Sequence, residues 1–141
     1  MKRLVSLLAI TLLASCSHSD HASDTATQAA PTGKVFFVSP KDGETVKTKF
    51  TAKFAVEGMQ VKPASDMTPN TGHHHVIVDG AALAEGTVIP KDEKNLHFGA
   101  GQTEAPLTLK KGKHTLTLQF ADGAHRSYGD KWSQTITVNV K

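Results

Sequence analysis

Between residues 34 and 141 the apolar positions come in short runs or alternate with polar ones. Lys34 to Val38 is a brief apolar run closed by Pro40-Lys41-Asp42-Gly43, a turn composition. From Lys49 to Glu57 the alternation is regular: Phe50, Ala52, Phe54 and Val56 share one face, while Lys49, Thr51 and Lys53 point away. His73 to Asp79 is rich in β-branched residues. After the Lys110-Lys111-Gly112-Lys113 turn, His114, Leu116, Leu118 and Phe120 face inward, with Thr115, Thr117 and Gln119 outward. The last segment sets Trp132, Gln134, Ile136, Val138 and Val140 in one phase. The pattern predicts strands at 34–38, 49–57, 74–79, 94–98, 106–110, 113–121 and 132–140. No segment of this domain has sustained helical periodicity, and the only helical expectation is one turn over Ala81 to Glu85.

Seven short strands separated by turn signals predict an all-β fold, an immunoglobulin-like antiparallel β-sandwich. All six phenylalanines fall inside these strands, as a sandwich core requires. The single cysteine rules out the intersheet disulfide of antibody domains and any CxxC pair.

Residues 1–33 have a different character. Lys2 and Arg3 precede an apolar run from Leu4 to Leu13, about ten residues where a membrane span needs roughly 20. That is the size of a signal-peptide core. Leu13-Ala14-Ser15-Cys16 then resembles the bacterial lipoprotein lipobox, which implies a signal peptide over 1–15 and lipid attachment at Cys16. The expected address is the periplasmic face of the cell envelope, anchored through lipid. Ser17 stands where lipoproteins kept in the inner membrane usually carry Asp, so the outer membrane is favoured. Residues 17–33 contain no large apolar side chain and read as a flexible tether with a reach of about 23 Å. The domain boundaries are thus 1–15, 16–33 and 34–141. The full chain carries a formal charge of +3; losing Lys2 and Arg3 takes the basic count from 16 to 14 against 13 acids, or +1. A chain so nearly neutral has no electrostatic footprint for nucleic acid.

Histidine is the unusual component: eight in all, two of them on the tether. In a sandwich whose 49–57 strand runs up, His73 to His75 start the next strand at the top, His97 ends the following strand there, and His125 lies in the last top loop. His73 and His75, two apart on a strand, share a face, whereas His74 joins Val76 and Val78 on the core face. His114 starts its strand at the bottom, roughly 23 Å away, and is expected to be partly buried and hydrogen-bonded. The candidate metal ligands are therefore His73, His75, His97 and His125. Met59 and Met67 are expected at the same end, with Glu104 and Tyr128 nearby. Thioethers favour Cu(I) and imidazole suits Cu(II) or zinc, so copper or zinc is the expected ion; without a cysteine ligand a blue-copper centre is excluded.

The alternative is an envelope interaction module whose histidines form a hydrogen-bonded loop network without metal. Catalysis is not expected: there is no HExxH, no GxSxG and no phosphate-cradling loop. Glu104 is the one candidate base for water on a metal.

Three segments carry a family resemblance: Gly72-His73-His74-His75-Val76-Ile77-Val78-Asp79, Leu96-His97-Phe98-Gly99-Ala100-Gly101-Gln102-Thr103-Glu104, and Gly112-Lys113-His114-Thr115-Leu116-Thr117-Leu118. Together, and with Val38 to Gly43 and His125, they resemble the exported bacterial domain-of-unknown-function family 4399. The resemblance implies an all-β periplasmic domain and brings no activity, substrate or ligand. His114 and His74 belong to that pattern beside the four candidate ligands, although the strand geometry sets His114 apart.

Overall fold

The computed structural model describes residues 31–141, so the signal-peptide, Cys16 and most tether expectations lie outside the described residues. The described chain is all-β, with nine strands: β1 (Lys34–Ser39), β2 (Thr45–Val46), β3 (Lys49–Glu57), β4 (Gln60–Val61), β5 (Thr71–Val78), β6 (Asn95–Phe98), β7 (Glu104–Thr108), β8 (Gly112–Ala121) and β9 (Ser133–Val140). A single 3-10 turn, Asp130–Trp132, leads into β9.

The strands form two sheets. One is three-stranded, β1-β3-β7; the other runs β2-β9-β8-β5, with β4 and β6 both paired to β5. Seven strands were expected. The two extra ones, β2 and β4, are two-residue parallel pairings with β9 and β5. The all-β class is as expected, with two sheets, but the pairing departs from the immunoglobulin constant-type order, in which the fourth strand joins the first sheet. Here the strand holding His97 pairs with β5, Val76 opposite Leu96 and His75 opposite His97.

The core lies between the sheets. Val35, Phe37, Ala52, Phe54 and Leu107 from the small sheet meet Val76, Val78, Leu116, Leu118, Phe120, Ile136 and Val138 from the large one. Alternation drives this, since each strand turns every second side chain inward. In β3 the alternation holds as read, with Ala52 and Phe54 buried and Lys49, Thr51 and Lys53 exposed.

In β8 it does not. Thr117 and Gln119 point away from the core, yet both are fully buried. An extended strap, Gly80 to Pro90, crosses that outer face. Thr117 Oγ1 donates to Gly80 O at 2.7 Å. Gln119 Oε1 accepts from Leu83 N at 3.0 Å, while its Nε2 donates to Gly129 O at 2.9 Å and Trp132 O at 3.2 Å. The strap contains no helical turn at Ala81 to Glu85, because its backbone polar groups are spent on these bonds and on Ser127. Covered on both faces, β5 is buried at all eight positions.

Candidate metal centre

Strand β5 fixes the first two candidate ligands. Its alternation turns His74 into the core and His73 and His75 to the outer face beneath the strap. His74 packs between Phe54 and Phe120, with ring centroids 4.8 and 5.1 Å away, and its Nδ1 lies 3.2 Å from Gln102 O. It is a core histidine, as its phase required.

His97 comes from β6, directly across from His75. His125 comes from the loop between β8 and β9, where Asp122 Oδ1 accepts from Ala124 N at 2.8 Å and Arg126 N at 2.9 Å. His125 N donates to Asp122 O, and Ile89 N of the strap donates to His125 O, each at 2.9 Å. These bonds hold His125 at a φ of 64°, a left-handed conformation uncommon outside glycine.

The four rings converge. His73 Nε2 is 3.0 Å from His75 Nε2 and 3.1 Å from His125 Nδ1. The ring of His97 lies 5.0 Å from those of His73 and His75 and 4.7 Å from that of His125. One nitrogen from each of the four lies within 4.8 Å of the others. A tetrahedral ion about 2.0–2.1 Å from each nitrogen sets them roughly 3.3 Å apart. Two contacts already match that spacing to within a few tenths of an ångström. His97 and His125, which supply the other two donors, are only partly buried.

Burial favours the neutral form of His73, His75 and His97. Loss of solvation, then the neighbouring His97 and His125, pushes His73 down to about 4. Loss of solvation followed by His73 and His97 takes His75 to about 2. His97 is lowered by desolvation, then by His125 and Lys91. Neutral rings cannot satisfy the arrangement among themselves. His73 Nε2 carries one proton or one lone pair, so it serves one of its two close neighbours and leaves the other contact unpaired. His73 Nδ1, His75 Nδ1 and His97 Nε2 are buried without a hydrogen-bond partner. A cation placed among the converging nitrogens takes the lone pairs of His73 Nε2, His75 Nε2 and His125 Nδ1 at once, leaving the ring protons of His73 and His75 on Nδ1.

A pocket of about 190 Å³ opens onto the cluster, lined by His75, His97, His125, Ile89 and Lys91. The methionines are elsewhere: Met59 packs against the hydrophobic core and Met67 is 54% exposed. Glu104 pairs with Lys53 at 3.3 Å on the small sheet. Tyr128 donates its hydroxyl to Thr71 O at 2.7 Å. None of these four residues lines the pocket: Glu104 is held by β3, Tyr128 by β5 and Met59 by the core, while Met67 is turned to solvent. His114 sits at the far end, its Nδ1 2.8 Å from Asp79 Oδ2 and its Nε2 3.0 Å from Lys110 O, the structural role its position predicted. Lys91, Ile89 and Asp122 were not singled out from sequence. Asp122 carried a signal, an Asx-turn residue beside Gly123, whereas Lys91 had none.

Fold and site together define an all-β domain built around a buried four-histidine cluster. The chain belongs to the family described as domain of unknown function DUF4399, whose family model matches residues 52–141 and so spans all four histidines. No curated protein matches it.

Proposed function

We propose that this protein binds a transition metal, copper or zinc, through His73, His75, His97 and His125. The observation that carries the reading is the convergence of imidazole nitrogens, two contacts at 3.0 and 3.1 Å and a fourth ring within reach. With Met59 and Met67 away from the site, the lean toward Cu(I) disappears, and an all-imidazole set suits Zn(II) or Cu(II). Tetrahedral closure fits zinc; the Irving–Williams order gives copper the tighter binding, so supply decides occupancy. Four protein donors make a holding site, and Glu104, the candidate base offered by the sequence, is engaged with Lys53, so we read a metal buffer or chaperone and not an enzyme.

The lipobox-like Leu13-Ala14-Ser15-Cys16 supports a lipid-anchored protein on the periplasmic face, with the outer membrane favoured. A Cys16→Ser variant that still fractionates with membranes refutes that part.

The deciding experiment titrates the protein with Zn(II), Cu(II) and Cu(I), beside the His73→Ala/His75→Ala double variant. One equivalent bound by the parent and lost in the variant is expected. The close imidazole contacts also fit a metal-free hydrogen-bonded network that stiffens the loops for an envelope partner. Thermal melting separates the two, because an ion that binds only the folded state raises stability by about 2.7 kcal/mol at a hundredfold excess over Kd. An unchanged melt with zinc, copper and chelator selects the network.

A further inference from the structure

The wall of the cluster pocket contains a charge that metal binding makes harder to accommodate. Of its five lining residues, three are the proposed ligands, one is the buried Ile89 and one is Lys91. No carboxylate lines it. The nearest acid whose field reaches the cluster, Asp122, already holds Arg126 at 2.7 Å. Four neutral imidazoles leave a bound dication its full charge, and Lys91 adds another in the same partly enclosed space. Ile89 excludes water from one side, which strengthens any electrostatic interaction there. His73 is fully buried, and the pocket that reaches the other three rings is the one that Lys91 lines.

Resting on the metal-binding reading above, we propose that the loaded site takes an anionic oxygen ligand, a carboxylate or phosphate group, held in this pocket between the ion and the Lys91 ammonium. The anion would add a fifth donor on the solvent side of the four-imidazole ion, where the neutral donor set and the neighbouring cation both favour it over water. The pocket volume suits a single small oxyanion or the carboxylate end of a larger carrier. Such a ligand couples the site to the chemistry around it. Anion binding and metal retention then reinforce each other, as linkage requires.

Cobalt(II) is a suitable probe, since its visible spectrum reports coordination. The full-length protein is loaded with Co(II) and titrated separately with acetate and with inorganic phosphate. Saturable spectral change with either is expected, and the tighter of the two identifies the oxyanion class. Lys91→Ala should weaken that anion about fivefold or more while leaving Co(II) stoichiometry at the parent value, and Lys91→Glu should abolish the response. A fully loaded protein whose spectrum neither anion moves, or a Lys91→Ala variant with unchanged anion affinity, overturns the proposal and leaves the metal-binding reading standing. Failure of Co(II), zinc and copper alike to load removes both.

Discussion

Gly99 lies flat against the imidazole of His97, with no room between them for a β-carbon. Its backbone cannot retreat, because Gly99 O accepts from Ala64 N at 2.8 Å. Gly99→Ala must therefore push the His97 ring, and with it one donor of the cluster. Metal affinity should fall about 10- to 100-fold, the usual effect of disturbing a ligand's support, with little change in the melting temperature of the metal-free protein. Competition against a chromophoric chelator measures this. Parent-like affinity would show that His97 is not a ligand.

His74 offers the opposite control. It lies between the proposed ligands His73 and His75, but its ring is in the core and its Nε2 is buried without a partner. His74→Leu removes that unpaired nitrogen and keeps an apolar volume beside Phe54 and Phe120. Stoichiometry and affinity for the metal should stay at parent values. Loss of binding with an intact fold would place His74 in the site.

Stability should fall on mild acidification. His73 and His74 are held near 4 by burial, against about 6.5 in an unfolded chain. Between those values the unfolded chain binds protons that the native one refuses, so folding free energy is fully present above pH 6.5 and declines toward pH 4. His75, near 2, extends the decline further down. Each shift of this size corresponds to on the order of 3 kcal/mol. Asp79 and Asp122, lowered from 3.8, titrate only below this window. Urea midpoints of the metal-free protein at pH 7.5 and 4.5 should differ accordingly, and His74→Leu should remove part of the difference. Equal midpoints would contradict the buried neutral imidazoles.

Gln119 bonds the strap and the segment before β9 to β8. Gln119→Ala removes the side-chain partner of Leu83 N and Trp132 O, while Gly129 O keeps Trp132 N, and should cost about 2 kcal/mol in urea unfolding. Metal affinity should drop too, because the strap supplies Ile89 to the pocket wall and bonds to His125 O. A destabilisation near zero would mean that the strap is held mainly by other contacts.

Much of this was legible in the sequence. The 49–57 strand appears with the bounds its alternation gave, because a half-buried strand writes its faces into every second residue. The same parity separated His73 and His75 from His74. Convergence of His97 and His125 followed from counting strand directions, a matter of chain reversal alone. What escaped was whatever depends on backbone bonding. The strands β2 and β4 are two residues long and carry no period. The strap covers Thr117 and Gln119 through polar bonds, so two residues that look solvent-facing are buried. Met59 and Met67 were placed near the site by loop proximity, which says nothing of the direction a side chain takes.

The distance along the chain between His73 and His125, 52 residues, sets an order of events. A nascent or unfolded chain has the pair on β5 within reach of each other but not the other half of the donor set. Four donors exist together only after β6 has docked on β5 and the loop after β8 has been pinned by Asp122. On the proposed reading, a complete donor set forms only at the end of maturation, and an ion held by all four histidines would certify that the surrounding sheet is complete.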